Sequence, residues 1–213
     1  MPGLSAANNF IAATLAETAR LHAEFPEEQI EHIAAASALM AKALRAGRKI
    51  IWFGNGGSAT QSQHMAAEFV GRFQRERRSL PSISLTENMA SVTAIGNDYA
   101  FEQIFSRQLE GLAQPGDVAI GLSTSGNSPN VLRALQAAKV LELTTLGLTG
   151  KTGGRMSELC DLCICVPSTV TARIQEAHLT IGHLLCALVE DKLSEQKSEG
   201  RSQRSESSRK KQR

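Results

Sequence analysis

Apolar positions recur at two different spacings along the chain, and the change between them predicts its organisation. In the first part they recur every three to four positions, which is typical of amphipathic helices. The pattern predicts two helices, Ala6–Ala23 and Glu27–Ala46, with Pro26 suited to a first turn and Gly47 to a helix end. The two helices form a hairpin whose apolar residues must pack on the domain or on a second subunit. Those residues include Phe10, Leu15, Ile30, Ile33, Leu39 and Leu44.

After Lys49 the spacing changes to short apolar runs that alternate with helical patterns. The runs are Ile50–Phe53, a weaker Ile83–Leu85, Val118–Leu122, Thr145–Leu148 and Leu162–Val166. Such alternation predicts a parallel sheet with helices on both faces. The sequence therefore predicts an α/β domain over residues 1–193. Its core is a five-stranded parallel sheet of the flavodoxin-like or Rossmann-like kind, flanked by helices and preceded by the helical hairpin.

Length and composition fit this single domain. The chain has 213 residues, of which 42% are hydrophobic and 21% charged, so it can bury a core and is not wholly disordered. No apolar run approaches the ~18 residues that a bilayer requires, and no basic stretch followed by an apolar one opens the chain. We therefore expect a soluble, cytoplasmic protein without a membrane partner.

Charge is distributed unevenly along the chain. The formal net charge is +2, but segment 194–213 carries seven Lys or Arg against three Glu, which leaves a net charge of −2 on residues 1–193. A mildly acidic core argues against nucleic-acid binding by the folded part. The segment has no apolar residue to bury, so it is predicted to be a disordered basic tail. Binding of RNA or anionic surfaces by this tail stays an alternative.

The four cysteines do not form a complete zinc-binding motif. Cys160 and Cys163 have the spacing of half a zinc knuckle, but no second pair follows. Together with Cys165 they lie in or beside a predicted buried strand, and Cys186 lies in an apolar helix. We interpret all four as reduced, mostly buried thiols, which suits a cytosolic protein.

A glycine-rich loop, residues 54–58, follows the first strand and leads into a helix. Gly54, Gly56 and Gly57 allow the backbone to approach a ligand, and the helix that follows offers unpaired N–H groups to an anion. A dinucleotide fingerprint would require glycine where Ala59 stands, and no Gly-Lys-Ser/Thr follows either. By itself such a loop is as typical of a structural turn as of a ligand site.

A hydroxyl-rich loop, residues 123–128, follows the third strand and also leads into a helix, with Pro129 in its first turn. Four hydroxyl groups in six residues exceed the one that a helix cap requires. The simpler interpretation is a serine-rich turn with a structural role only. The functional interpretation is a phosphate site built from hydroxyl groups, N–H groups and a helix dipole. Neither loop contains Lys or Arg. The expected ligand therefore carries a single phosphate group and is not a nucleoside triphosphate.

Histidines and carboxylates recur on two predicted helices. His64 and Glu68 lie four residues apart on one helical face, a spacing that can hold a divalent metal if another element adds a ligand. Gln175 and His183 lie on one late helix. Such residues are common on ordinary helices, but the first pair follows the glycine-rich loop by one to three turns. A metal site behind a phosphate site is therefore the functional hypothesis.

Several runs of residues resemble the bacterial phosphoheptose isomerases, a family of enzymes with a sugar isomerase (SIS) domain. The runs are GNGGSA, QHMAAEFVGRF, SVTAIGND, GDVAIGLSTSGNSPNV and TARIQEAHLTIGHLLCALVE. The resemblance extends over residues 5–193 and implies interconversion of sedoheptulose 7-phosphate and D-glycero-D-manno-heptose 7-phosphate. That reaction is the first step towards the ADP-heptose of lipopolysaccharide cores or related glycans. The resemblance also implies a cytoplasmic homotetramer with active sites at subunit interfaces.

The same resemblance implies roles for individual residues. The implied ligands of one zinc ion per subunit are His64, Glu68, Gln175 and His183. The implied sugar contacts are Asn55, Gly56, Gly57, Glu68, Asn97, Asp98 and Gln175. The implied phosphate site comprises Ser123, Thr124, Ser125 and Ser128, to which Ser58 is added. The basic tail lies outside the family pattern.

The chemistry of an aldose–ketose isomerase agrees with these roles. Moving a proton between C1 and C2 requires a base at carbon, an acid at oxygen and a cation near the developing oxyanion. Glu68 is the candidate base and His183 the candidate acid. Because metal ligation weakens a carboxylate base, two roles for zinc stay open: a catalytic ion, or one that organises the site.

Two other functions and one geometric difficulty accompany this hypothesis. The first alternative is a non-catalytic paralogue that binds the DNA-replication initiator, although that group lacks part of the histidine set. The second is a sugar-phosphate-sensing regulator, but no helix-turn-helix segment is attached. Gln175 and His183 are separated by ~12 Å along one helix, so a single ion can hardly bind both from a straight helix. Contributions from neighbouring subunits, which the resemblance implies, would relieve this geometry if the elements meet at an interface, so we expect a homotetramer that loses activity on dissociation.

Overall fold

A computed structural model describes the backbone of residues 2–210 and the side chains of residues 5–194. The helices are α1 Pro2–Ala23, α2 Glu27–Arg45, α3 Gly57–Val70, α4 Met89–Asp98, α5 Ser106–Leu112, α6 Pro129–Val140, α7 Met156–Leu159 and α8 Thr171–Lys210. The strands are β1 Ile50–Gly54, β2 Ser82–Ser84, β3 Val118–Ser123, β4 Thr144–Thr149 and β5 Leu162–Cys165. A short 3₁₀ helix, Phe101–Gln103, lies between α4 and α5.

The five strands form one parallel sheet in the order β2-β1-β3-β4-β5, so the predicted fold is confirmed. The strand order changes direction between β1 and β3, which pair with Gly54 opposite Leu122. At such a switch point the loops after the two strands turn to opposite faces and open a crevice at the carboxyl edge. The glycine-rich and hydroxyl-rich loops are those two loops.

Helices cover both faces of the sheet because successive strand residues point to opposite sides. Along β1, Trp52 belongs to the core beneath α2, α3 and α8, whereas Ile51 and Phe53 belong to the core beneath α5 and α6. All three side chains are fully buried. The continuous apolar runs seen in the sequence therefore reflect strands that are buried on both faces.

The outer edge of β5 is closed by side chains of α2. The amide of Cys165 donates to Gln29 Oε1 at 2.7 Å, and His32 Nδ1 lies 3.0 Å from the carbonyl oxygen of Cys163. An edge strand with unpaired backbone groups is open to pairing with other chains. These two contacts occupy one amide and one carbonyl group of that edge and fix α2 against the sheet.

The helical hairpin divides its apolar residues between two environments. Ile33 and Leu44 of α2 are buried in the domain core, as the sequence predicts. Phe10 and Leu15 of α1 and Ile30 of α2 are more than half exposed. The contacts of α1 with α8 include the polar pairs Thr18–Glu176 and His22–Thr180. The exposed apolar face of the hairpin is therefore unpartnered in a single chain.

The last helix is longer than the sequence pattern suggests. The backbone of α8 is helical through Lys210, whereas the sequence predicts disorder from residue 194 onwards. That segment is rich in Glu, Gln, Lys and Arg, which favour helix locally even without an apolar face. Its side chains from residue 195 and its backbone from residue 211 lie outside the described residues. Within the described residues, no helix combines the length and apolar character needed to cross a membrane.

One buried carboxylate ties the segment after α3 to α8. Glu190 accepts hydrogen bonds from the amides of Phe73, Gln74 and Arg75 at 2.9 Å and from Arg77 Nε at 2.7 Å. Burial by itself would raise the pKa of Glu190, but these four donors lower it on balance. The charged carboxylate therefore holds the chain that leaves α3 directly against α8.

We predict that Glu190→Gln destabilises the domain by about 3–5 kcal/mol, because it leaves the Arg77 cation buried without its counterion. The matched control is Asp191→Asn, which breaks the exposed pair with Arg75 and should cost less than about 1 kcal/mol. Urea unfolding at pH 7 measures both. The folded-state pKa of Glu190 is lowered. The loss of unfolding free energy in Glu190→Gln relative to the wild type is therefore fully present above the unfolded pKa of about 4.3 and shrinks as the pH falls. Equal losses in the two variants would refute the prediction.

Candidate active site at the carboxyl edge of the sheet

The glycine-rich loop connects β1 to α3 and packs closely against its neighbours. A Cβ at Gly54 would lie 2.9 Å from the carbonyl oxygen of Leu122 and 2.8 Å from Ser58 Cβ, so only glycine fits there. Gly56 has a φ of 55°, a left-handed conformation that favours glycine. Ser58 is buried beneath the loop. No side chain caps the start of α3, which leaves its first turn facing the crevice.

An amide pair joins the two loops across the crevice. Asn55 Nδ2 donates to Asn130 Oδ1 and Asn130 Nδ2 donates to Asn55 Oδ1, each at 2.8 Å. Asn130 is buried and also accepts from the amide of Val131 in the first turn of α6. The starts of α3 and α6 are therefore held together by side chains. Two helix N-termini that face one crevice favour an anion there.

The hydroxyl groups of the second loop converge. Ser123 Oγ lies 2.8 Å from Ser128 Oγ and 3.4 Å from Ser125 Oγ. Ser128 stands at the N-cap of α6, but its side chain makes no capping bond. Thr124 is partly buried and Ser125 is exposed. The serine hydroxyls thus bond to one another in the crevice, where an anion could accept from them instead.

A turn between β4 and α7, residues 150–154, supports the hydroxyl-rich loop from behind. The amide of Gly150 donates to Thr124 O at 3.1 Å, and the amide of Met156 donates to Gly126 O at 3.1 Å. Gly126 has a φ of 66°, and a Cβ on it would collide with the backbone of Gly153. The shape of the loop therefore depends on this turn.

Three candidate metal ligands meet between α3 and α8. His64 Nε2 lies 3.0 Å from His183 Nε2 and 3.4 Å from Glu68 Oε1. Within the part of the chain whose side chains are described, these three residues form a group whose ligand atoms all lie within 4.8 Å of one another. Two facing imidazole nitrogens require a proton or a cation between them. Two His and one Glu are a donor set found in catalytic zinc sites, so the residues fit such an ion.

Close contact between α3 and α8 makes this cluster possible. A Cβ on Gly182 would overlap the sulfur of the buried Met65, so glycine at this position lets the two helices approach. Phe73 stacks on the ring of His183, with centroids 5.2 Å apart and planes 14° apart. His64 and Glu68 follow one another on α3 at i and i+4. The contact of Met65 with Gly182 and the stacking of Phe73 on His183 therefore hold the two helices and the His183 ring in place.

Gln175 is the one predicted zinc ligand that lies elsewhere. Its side chain packs on Gly57, where an added Cβ would lie 2.5 Å from Gln175 Nε2. Gly57 precedes His64 by seven residues, or ~10 Å along α3. The structure thus brings three of the four predicted ligands together and places Gln175 over the glycine-rich loop. This position suits the sugar contact that the sequence also predicts for Gln175.

Two predicted sugar contacts lie on α4, and three further residues of the site were not predicted from the sequence. Asn97 and Asp98 end α4 exposed, and Asn97 Nδ2 donates to Asp98 Oδ1 at 2.8 Å. Helix α4 has no buried residue, so both stand at the surface of a single chain. Asn130, Phe73 and Gly182 were missed by the sequence analysis. A polar residue in the second position of the helix after the hydroxyl-rich loop could have drawn attention to Asn130.

Comparisons with known proteins agree with the fold. The family model of the SIS domain matches residues 15–150. A phosphoheptose isomerase from a Nitratiruptor species is 57% identical over 165 residues, which cover 78% of this chain and 88% of that protein. The solved structure of a phosphoheptose isomerase from Neisseria gonorrhoeae has a TM-score of 0.82 at 38% identity and covers 86% of this chain and 98% of that one. A phosphoheptose isomerase from Francisella tularensis has a TM-score of 0.80 at 34% identity, covering 90% and 100%.

Fold and family model together define an SIS-domain protein. Within that class the chain belongs to the phosphoheptose isomerase family and is an isomerase. The resemblance indicated by the sequence motifs and the prediction of an enzyme are thereby confirmed.

Proposed function

We propose that this isomerase interconverts sedoheptulose 7-phosphate and D-glycero-D-manno-heptose 7-phosphate in the cytoplasm, as the first step towards ADP-heptose. The observation that carries the proposal is the meeting of His64, Glu68 and His183 on the helix that starts at the glycine-rich loop and on its neighbour α8. The names of its relatives in the phosphoheptose isomerase family support the choice of sugar.

The phosphate group binds at the hydroxyl-rich loop in this proposal. Ser123, Ser125 and Ser128 turn their hydroxyls towards one another, and α6 begins there without a side-chain cap. Hydroxyl donors and a helix N-terminus suit a phosphate monoester. Thr124 adds a fourth hydroxyl to the loop, and the buried Ser58 of the glycine-rich loop is the further residue that the family resemblance adds to this site.

The sugar lies between this phosphate site and the cluster. Asn55, Gly56 and Gly57 line the crevice wall, and Gln175 packs on that wall. Glu68 takes the proton from carbon, and His183 donates a proton to the substrate oxygen. A carboxylate and an imidazole are the usual partners for such paired transfers, and both face one space beside His64.

A zinc ion, one per subunit, fits the donor set of His64, Glu68 and His183. When bound, it supplies positive charge that stabilises negative charge developing on the substrate oxygens. The ring of His183 is held by stacking on Phe73, and Glu68 presents Oε1 to His64. These contacts hold the base and the acid in place; with the ion bound, a ring nitrogen of His183 that ligates it would carry no proton, so the other ring nitrogen would be the donor.

Neighbouring subunits complete the site in a homotetramer. Asn97 and Asp98, the remaining predicted sugar contacts, stand exposed at the end of α4. Phe10 and Leu15 form an apolar surface that a single chain leaves uncovered. Exposed apolar patches of this kind mark interaction sites. We infer that one copy presents its α4 residues or its hairpin to the crevice of another.

We predict that the purified protein converts sedoheptulose 7-phosphate to the aldose, followed by NMR, and that a chelator slows the reaction. Glu68→Gln should lower kcat by about 10²–10⁴-fold, because an amide cannot take the proton. The control Glu76→Gln alters an exposed carboxylate after α3 and should keep full activity. No turnover by the wild type would reject the reaction. A Glu68→Gln variant with more than about a tenth of the wild-type kcat would show that Glu68 is not the base.

Substitution of the phosphate hydroxyls should act chiefly on substrate binding. Each hydrogen bond lost to a charged group costs roughly 1.5–3 kcal/mol, so Ser123→Ala/Ser125→Ala should raise KM strongly. Ser79→Ala is the control, because Ser79 is exposed just before β2, at the opposite edge of the sheet. Steady-state kinetics measure both. An unchanged KM in the double variant would show that this loop does not bind the substrate phosphate.

Assembly and the tail are tested together. We expect a homotetramer by analytical ultracentrifugation, with activity lost when it dissociates, since one copy lacks the contacts described above. A protein of residues 1–193 should assemble and turn over like the full chain, because the basic segment contributes no predicted site residue. A fully active monomer would refute the shared site. An inactive truncated protein would refute a domain boundary at residue 193.

A further inference from the structure

Three thiols gather at the end of the sheet, outside the candidate active site. The sulfurs of Cys160 and Cys163 each lie 3.0 Å from the position that a Cβ would take on Gly147. Cys163 and Cys165 flank the hydroxyl of Thr149, whose Oγ1 lies 3.8 Å and 3.4 Å from their sulfurs. All three cysteines are unbridged.

The thiols differ in exposure and in acidity. Cys165 is partly exposed, whereas Cys163 is buried. The neighbouring Cys163 thiol, with help from Thr149, whose Oγ1 lies 3.4 Å from Cys165 Sγ, and from the nearby His32, lowers the pKa of Cys165 against the opposing effects of burial and of Glu28. The neighbouring Cys165 and burial raise the pKa of Cys163. A partly exposed thiol with a lowered pKa therefore lies close to a buried thiol with a raised pKa, the arrangement of a reactive cysteine and its resolving partner.

The sheet connects this pair to the hydroxyl-rich loop. Cys165 pairs in register with Thr149 of β4, and Thr149 pairs with Ser123 of β3. Residues 150–154 follow Thr149 directly, and a Cβ on Gly153 would lie 3.3 Å from Cys165 Sγ. The turn that supports the hydroxyl-rich loop therefore packs against the reactive sulfur.

We propose that Cys165 and Cys163 form a peroxide-reactive site whose oxidation to a disulfide displaces the turn 150–154 and loosens the hydroxyl-rich loop. The Cys165 thiolate attacks one oxygen of a hydroperoxide, the O–O bond breaks, and the leaving oxygen takes a proton. The Cys163 sulfur then attacks the resulting S–OH group, its proton leaves with the hydroxyl as water, and the S–S bond forms. The two sulfurs together lose two electrons, which the peroxide gains.

Closing this bond cannot leave the strand unchanged. Residues two apart on a strand are separated by about 6.6 Å, near the upper limit of the ~4.4–6.8 Å between Cα atoms that a disulfide tolerates. The end of β5 must therefore shorten as the bond forms. Thr149 and the turn after it are its immediate neighbours, so the strain passes to them first.

Direct thiol chemistry on the full-length protein tests the site without reference to its catalytic activity. After hydrogen peroxide, a sulfenate-trapping reagent should label Cys165, and peptide mapping should find a Cys163–Cys165 disulfide that dithiothreitol removes. Labelling should decrease as the pH is lowered through the pKa of Cys165, because the thiolate is then protonated. Hydrogen exchange should become faster at the amides of Gly150 and Met156 in the oxidised protein. Label elsewhere, no disulfide, or unchanged exchange would each overturn the proposal.

Matched variants assign the reaction to residues. Cys165→Ser should lose both the label and the disulfide, whereas Cys163→Ser should keep the label and lose the disulfide. The control Cys186→Ser removes a cysteine of α8 that burial keeps protonated, with a pKa of about 12, and should leave the oxidation pattern of the wild type. A Cys165→Ser protein that still forms a disulfide under the same treatment would refute the assignment.

Discussion

The close approach of α3 to α8 is the contact on which the candidate site depends. Met65 fills the space opposite Gly182, and this contact lets His64 and Glu68 on one helix meet His183 on the other. Glu190 fixes the next two turns of α8 to the chain leaving α3. A shift of one helix past the other would separate the imidazoles, because a close-packed core leaves the side chains little room to adjust. The chemistry of the cluster is thus set by core packing rather than by loop conformation.

Strand order performs the complementary task of placing the proposed phosphate site. Because β1 and β3 are neighbours, the glycine-rich and hydroxyl-rich loops lie side by side at the carboxyl edge of the sheet. There the side chains of Asn55 and Asn130 join them. Helix α3 starts at the proposed phosphate site and carries His64 and Glu68 two to three turns later. One rigid helix therefore sets the separation between a bound phosphate and the cluster. A substrate held at both ends is oriented before any proton moves.

Much of this arrangement could be predicted from local patterns, and the exceptions have a physical cause. All five strands and both loops follow from periodicity and from glycine and serine composition, which are local properties. The position of Gln175 over Gly57, by contrast, depends on the angle at which α8 crosses α3. The role of Glu190 is likewise hidden, since its partners on residues 73–77 are mostly backbone amides that no side-chain pattern reveals. Predictions stay open where tertiary contacts decide the outcome.

The exposure of the cluster explains why one chain is an incomplete enzyme in the proposed function. The side chain of His64 is 47% exposed and that of Glu68 is 24% exposed. Proton transfer at carbon benefits from a site that excludes water, because fixed dipoles then act in a medium of low dielectric constant. The described side chains fix the cluster from below and from the side of Phe73, but leave His64 open to solvent. The apolar residues Phe10 and Leu15 are likewise uncovered. Burying such a surface against another copy would both stabilise an assembly and enclose the crevice, which connects the oligomeric state to the chemistry through the removal of water.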